Sequence, residues 1–135
     1  MSIPAAILPV IAAFTNLQVR YYIGGSVASS AYSLPRTTYD VAMVADMQPR
    51  AVAPFIADLA DQYYLDRGDI LEAISWHSSF NMTHQATGIN IDVFIPQGRP
   101  FDRVQFERVQ SHMLPGADQP VNLASPEDVL LNKLL

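Results

Sequence analysis

The order of apolar and polar positions divides the chain into alternating helix-like and strand-like stretches. From about Ala5 to Leu17 the pattern reads as a helix, and Arg20 to Ile23 as a short strand ending at Gly24 and Gly25. The small-residue stretch Ser26 to Ser33 is expected to form a brief helix that stops before Pro35. Thr38 to Ala45 favours a strand, whose period of two puts Thr38, Asp40, Ala42 and Val44 on one face. Val52, Phe55, Ile56 and Leu59 recur at helical spacing and predict a buried stripe, and Asp69 to Trp76 predicts a shorter helix. Two strands, Ser79 to His84 and Ile89 to Ile95, are joined by a hairpin-length turn at Gln85 to Gly88. In the second of them Ile89, Ile91, Val93 and Ile95 share a face and leave Asn90, Asp92 and Phe94 on the other.

Near the end, Ser125 suits an N-cap, Pro126 a first helical position and Asp128 the third position after the cap, so a helix is expected to begin there. Its apolar residues Val129, Leu130, Leu131, Leu134 and Leu135 carry neither a Gly cap nor a polar tail. Either that helix packs into the core or against a second copy or protein partner, or a C-terminal helical continuation is missing.

This order of elements predicts a single α/β (α+β) domain over residues 1–135, a short mixed sheet flanked by helices, with no repeat or charge block to divide it. With 50% hydrophobic and 16% charged residues, 135 residues can bury a sizeable core, which excludes a disordered chain. The absence of Cys excludes a disulfide scaffold, a thiol nucleophile and a Cys-based zinc site. A net charge of −5 argues against non-specific coating of polyanions, but not against a small phosphate site built from backbone groups and one or two cations. Ala5 to Phe14 is about half the length of a membrane span and contains Pro9, and no basic residue precedes it as in a signal peptide. A soluble, cytoplasmic protein without membrane contact is expected.

Candidate chemistry starts at Gly24, Gly25 and Ser26, between an expected strand and an expected helix, where free N–H groups and the helix dipole favour an anion. The alternative is a plain structural turn. Asp40 and Asp92 each interrupt an apolar strand, where an unpaired carboxylate is costly to bury. Together with the Gly-Gly-Ser turn they suggest a hard cation near a phosphate; otherwise each caps a strand or pairs with a base such as Arg36. Arg36 either contacts phosphate or pairs with Asp40. His77, His84 and His112 lack metal-ligand spacing and read as structural, with His84 kept as a secondary site candidate. Tyr21–Tyr22 and Tyr63–Tyr64 are expected to be half core and half exposed.

The run Gly24, Gly25, Ser26, Val27, Ala28, Ser29, then Pro35, Arg36, Thr38 and Asp40, resembles the signature of the nucleotidyltransferase superfamily with its polymerase-β-like fold. Ser79, Phe80, Asn81, His84, the run Ile91 to Phe94, and the closing Ala124 to Val129 with Lys133 and Leu134 look like the small bacterial members related to the AbiEii toxin family. The resemblance implies that Gly24, Gly25 and Ser26, with Arg36 nearby, bind the triphosphate of an NTP. Asp40 would be the first metal carboxylate, and Asp92 the third, which helps deprotonate the attacking hydroxyl. Mg²⁺ would bridge the phosphates as a nucleoside monophosphate passes to an acceptor that the sequence does not identify.

The sequence departs from the family pattern at Ala42, where active members carry the second carboxylate. Asp46 lies four residues further on, about 13 Å along an extended strand, and is a poor substitute. Asp40 and Asp92 with phosphates and water suffice for one weakly held Mg²⁺, whereas a two-metal site lacks a ligand. Two readings follow: an NTP-binding transferase with an incomplete triad, or a catalytically silent interaction domain of the same fold, for which the family comparison suggests a toxin–antitoxin pair.

Overall fold

A computed structural model describes residues 3–24, 40–98, 100–113 and 120–123. Within them lie α1 (Ile3–Asn16), β1 (Tyr21–Gly24), β2 (Asp40–Ala45), α2 (Val52–Leu59), β3 (Tyr63–Tyr64) and α3 (Arg67–Trp76). The chain continues through β4 (Ser79–His84), β5 (Asn90–Phe94), α4 (Pro100–Glu107), β6 (Gln110–His112) and β7 (Val121–Leu123). The strands form one mixed sheet in the order β3-β4-β5-β2-β1-β7-β6. β2 runs parallel to β5 and β1 parallel to β7, while the other neighbours are antiparallel.

The alternation read from the sequence decides which face is buried. Val41, Met43 and Ala45 of β2, Ile91 and Val93 of β5, and Phe80 and Met82 of β4 are all buried, as is Ile23 of β1. They share one core with Ile7, Val10 and Phe14 of α1, Val52, Phe55 and Leu59 of α2, and Ile70 and Ala73 of α3. Phe55 stacks on Phe14 at 5.2 Å and meets Phe80 edge-on at 6.4 Å, so one ring ties two helices to the sheet. Among the described residues the opposite face is covered at β1, by α4. There Phe106 packs edge-on against Tyr22 at 5.1 Å and Tyr22 donates its hydroxyl to Gln105 Oε1 at 2.6 Å.

Helix ends follow local chemistry. Asp66 caps α3 by accepting from the Asp69 N–H at 3.1 Å, which moves the start to Arg67, ahead of the Asp69 expected from periodicity. Both α1 and α3 end with a residue in the left-handed region, Gln18 at φ 59° and His77 at φ 50°. In α1 the Val19 N–H reaches Phe14 O at 2.8 Å and the Gln18 N–H reaches Thr15 O at 3.2 Å, the paired bonds that close a helix C-terminus. His77 is therefore a cap residue, and its Nδ1 lies 3.0 Å from Pro96 O.

The tyrosine pairs behave differently from each other. Tyr63 is buried and Tyr64 exposed, as alternation on the edge strand β3 requires, whereas Tyr21 and Tyr22 are both buried because α4 covers the second face at β1. Tyr63 donates its hydroxyl to Ala6 O, and burial raises its pKa above the ordinary 10.0. An unfolded chain loses that proton near pH 10 while the folded chain keeps it, so stability is full below pH 10 and falls as pH rises above it. Urea denaturation at pH 8 and at pH 11 is expected to show this fall, and Tyr63→Phe to lessen it, with burial of Tyr21 contributing the remainder in the same direction, at a cost of about 1 kcal/mol at pH 8.

Among the described residues no helix is long and apolar enough to cross a membrane. The helices expected at Ser26–Ser33 and from Ser125 onward lie outside the described residues.

Candidate functional site

The strand register brings positions of separate strands into rows across the sheet face turned away from the main core. Asn81 of β4 stands opposite Asp92 of β5, Asp92 opposite Ala42 of β2, and Ala42 opposite Gly24 of β1. Towards the start of β2, Thr83, Asn90 and Asp40 form a second row. In the other direction Ser79, Phe94, Val44 and Tyr22 form a third. Along the first row exposure falls from β4 to β1. Asn81 is exposed, Asp92 and Ala42 are half-buried, and Gly24 is buried.

The two aspartates predicted from the sequence thus occupy adjacent parallel strands at positions of one face, offset by two residues. That spacing separates their Cα atoms by about 8 Å, the diagonal of one strand gap and two strand residues. Asp92 Oδ1 accepts from Asn90 Nδ2 at 3.2 Å, and among the described residues Oδ2 has no partner. The Ala42 methyl stands directly across from Asp92. Among the described residues no group of three or more His, Asp or Glu side chains is placed to hold a metal.

Gly24 ends β1 beside Ala42. A Cβ there would meet only the Tyr22 ring at 4.0 Å, an ordinary contact, so packing among the described residues does not require glycine. Gly25, Ser26 and Arg36 lie outside the described residues, and for Asp40 only the backbone position in β2 is described.

Other candidates are placed elsewhere. Asp46 follows β2 and pairs with Arg20 at 3.1 Å, and Arg20 also lies 4.7 Å above the Phe106 ring. It is thus engaged at the far end of the strands from Gly24, as expected of a poor substitute ligand. His84 sits on the core side of β4, with Nδ1 2.8 Å from Thr87 Oγ1 and its ring 5.0 Å from Tyr63. It faces away from Asp92 and is structural. Two open cavities, about 440 and 550 Å³, flank Arg20. Sequence reasoning missed Asn90: its place on the Asp92 face was legible, but its bond to Asp92 depends on rotamers that alternation does not encode.

The architecture is a mixed α/β sheet with helices, of the kind found in nucleotidyltransferases. Over 95% of this chain and 84% of the other, it is similar to the crystal structure of the lincosamide antibiotic adenylyltransferase LnuA bound to lincomycin, with a TM-score of 0.55 at 13% identity. It is likewise similar to a putative nucleotidyltransferase from Thermotoga maritima, with a TM-score of 0.54 at 10% identity over 99% of this chain and 86% of that one. At such identities the likeness is one of fold. No family model and no curated protein sequence matches the chain.

Proposed function

We propose that this protein binds a nucleoside triphosphate with Mg²⁺ and transfers its nucleoside monophosphate to a hydroxyl acceptor. The observation that carries the reading is the β2–β5 register, which puts positions 40 and 92 on one face of the sheet, with Gly24 at the end of the Asp92 row. The fold shared with solved nucleotidyltransferases supports it.

In this reading the turn at Gly24, Gly25 and Ser26 receives the triphosphate on its backbone N–H groups, and Arg36 adds a cation. Asp40 and Asp92 suit one hard cation completed by phosphate oxygens and water, because Mg²⁺ is commonly held by one or two carboxylates. When bound, that ion neutralises charge on the leaving pyrophosphate. Asp92, whose Oδ2 has no partner among the described residues, accepts the proton of the acceptor hydroxyl as its oxygen bonds to the α-phosphorus and the bond to pyrophosphate breaks. An NTP substrate fits a cytoplasmic location.

The test is incubation with each α-labelled NTP and panels of hydroxylated small molecules, tRNA and protein. The reading expects label to appear on an acceptor with release of pyrophosphate. One observation favours a second reading. The Ala42 methyl opposite Asp92 is what a silent site would show, and the protein would then serve as an interaction domain, as in a toxin–antitoxin pair. Pull-down of a specific partner without nucleotide turnover would decide for it.

A further inference from the structure

Asp92 is not the only polar group of its strand on the open face. Asn90 precedes it by two residues, shares its face, and donates from Nδ2 to Asp92 Oδ1 at 3.2 Å. Across the β4–β5 ladder, Thr83 Oγ1 donates to Asn90 Oδ1 at 3.5 Å. These neighbours fix which way round the amide stands. A carboxylate can accept but not donate, so the NH₂ group must face Asp92, and the amide oxygen is left to take the Thr83 hydroxyl.

We propose that Asn90 is a positioning residue for Asp92: its N–H holds Oδ1 so that Oδ2 is presented to the cation and the acceptor hydroxyl, with Thr83 steadying the amide behind it. The inference rests on the role given to Asp92 above. Across the row from Asp92 stand the Ala42 methyl on one side, which can hold no carboxylate in place, and Asn81 on the other, yet among the described residues the side-chain bond to Asp92 comes from Asn90 of its own strand. A carboxylate free to rotate among rotamers loses that freedom when it binds a ligand, and a carboxylate already held does not.

The fold itself gives little reason for asparagine here. The core of β5 is made by Ile91 and Val93 on the opposite face, and position 90 is only half-buried. Asparagine is a poor strand former, and Thr or Val would suit the position better. A local choice that runs against propensity is expected where a side chain serves a site. Nor is Asn90 itself arranged as an oxygen ligand, since its carbonyl oxygen is turned to Thr83.

The experiment is Mn²⁺ binding followed by electron paramagnetic resonance, with a non-hydrolysable ATP analogue present. It compares the natural protein with Asn90→Ala, Thr83→Val and Asp92→Asn, with thermal midpoints measured in parallel. Asn90→Ala is expected to weaken Mn²⁺ binding about tenfold, the usual effect of removing a group that orients a metal ligand. Thr83→Val, an isostere suited to a strand, is expected to weaken it about threefold. The Asn90→Ala midpoint should stay within about 3 °C of the natural protein, as for other substitutions outside the core. The Asn90 side-chain amide resonance should also shift in Asp92→Asn.

Natural-level affinity in Asn90→Ala, with affinity lost in Asp92→Asn, would overturn the inference and leave the functional reading standing. Equal affinity in the natural protein and Asp92→Asn would overturn the functional reading itself. If Asn90→Ala does not fold, Thr83→Val decides, and natural-level affinity there overturns the inference.

Discussion

Ala42→Asp is expected to tighten Mg²⁺-dependent nucleotide binding by at least about tenfold. The substitution puts a carboxylate directly across from Asp92 and two residues along the same face from Asp40. A charge pair about 4 Å apart near a protein surface is worth roughly 4 kcal/mol, and about 1.4 kcal/mol suffices for a factor of ten. Position 42 is only half-buried, so the new side chain has access to solvent and does not displace the core, which lies on the Val41 and Met43 face.

The same change has an opposite effect without metal. Like charges directly across two strands repel by about 0.2–1 kcal/mol, so the thermal midpoint in EDTA should fall by a few degrees. Mg²⁺ with nucleotide should restore it. Calorimetric titration and thermal scans in Mg²⁺ and EDTA check both halves, and a substitution that lowers stability equally in both would contradict the account.

Asp92→Asn is expected to lower transfer by about 10²–10⁴, the range set by loss of a positioned general base. Asparagine has nearly the same size and keeps an oxygen acceptor for the Asn90 N–H, so the fold should be unchanged. What it loses is negative charge for the cation and a site for the hydroxyl proton. The predicted kinetic signature is a fall in kcat larger than any rise in KM for the nucleotide, because the triphosphate turn at Gly24 is untouched. An equal loss in Asn81→Ala, one strand away in the same row, would show that the row acts through general polarity instead.

Much of this face could be read from alternation alone. The strands from Asp40 and from Asn90 have the expected alternation of faces, because one side of each meets an apolar core and the period of two leaves no choice for the other. The candidate roles of Asp40, Asp92 and Gly24, and the departure at Ala42, are expectations drawn from that pattern together with the resemblance. The alternation could not show which strands are neighbours. The parallel pairing of β2 with β5 depends on a crossover through α2, β3, α3 and β4, which no local signal encodes.

The elements that escaped notice are short or weakly patterned. β3, β6 and β7 have two or three residues each, too few to display a period, and α4 buries its ring at Phe106 against Tyr22 on a face that the pattern leaves polar elsewhere. That unforeseen helix is also why Tyr22 is buried where half-exposure was expected. Gly25, Ser26 and Arg36 remain readings of the sequence, since they lie outside the described residues.

The most direct test of the central claim is calorimetric titration of ATP, GTP, CTP and UTP into the natural protein, in Mg²⁺ and in EDTA, with Asp40→Ala as the control. The account predicts that at least one nucleotide binds in Mg²⁺, that EDTA weakens it strongly, and that Asp40→Ala removes the metal dependence. Binding of none of the four, or binding that ignores both EDTA and Asp40→Ala, would contradict it.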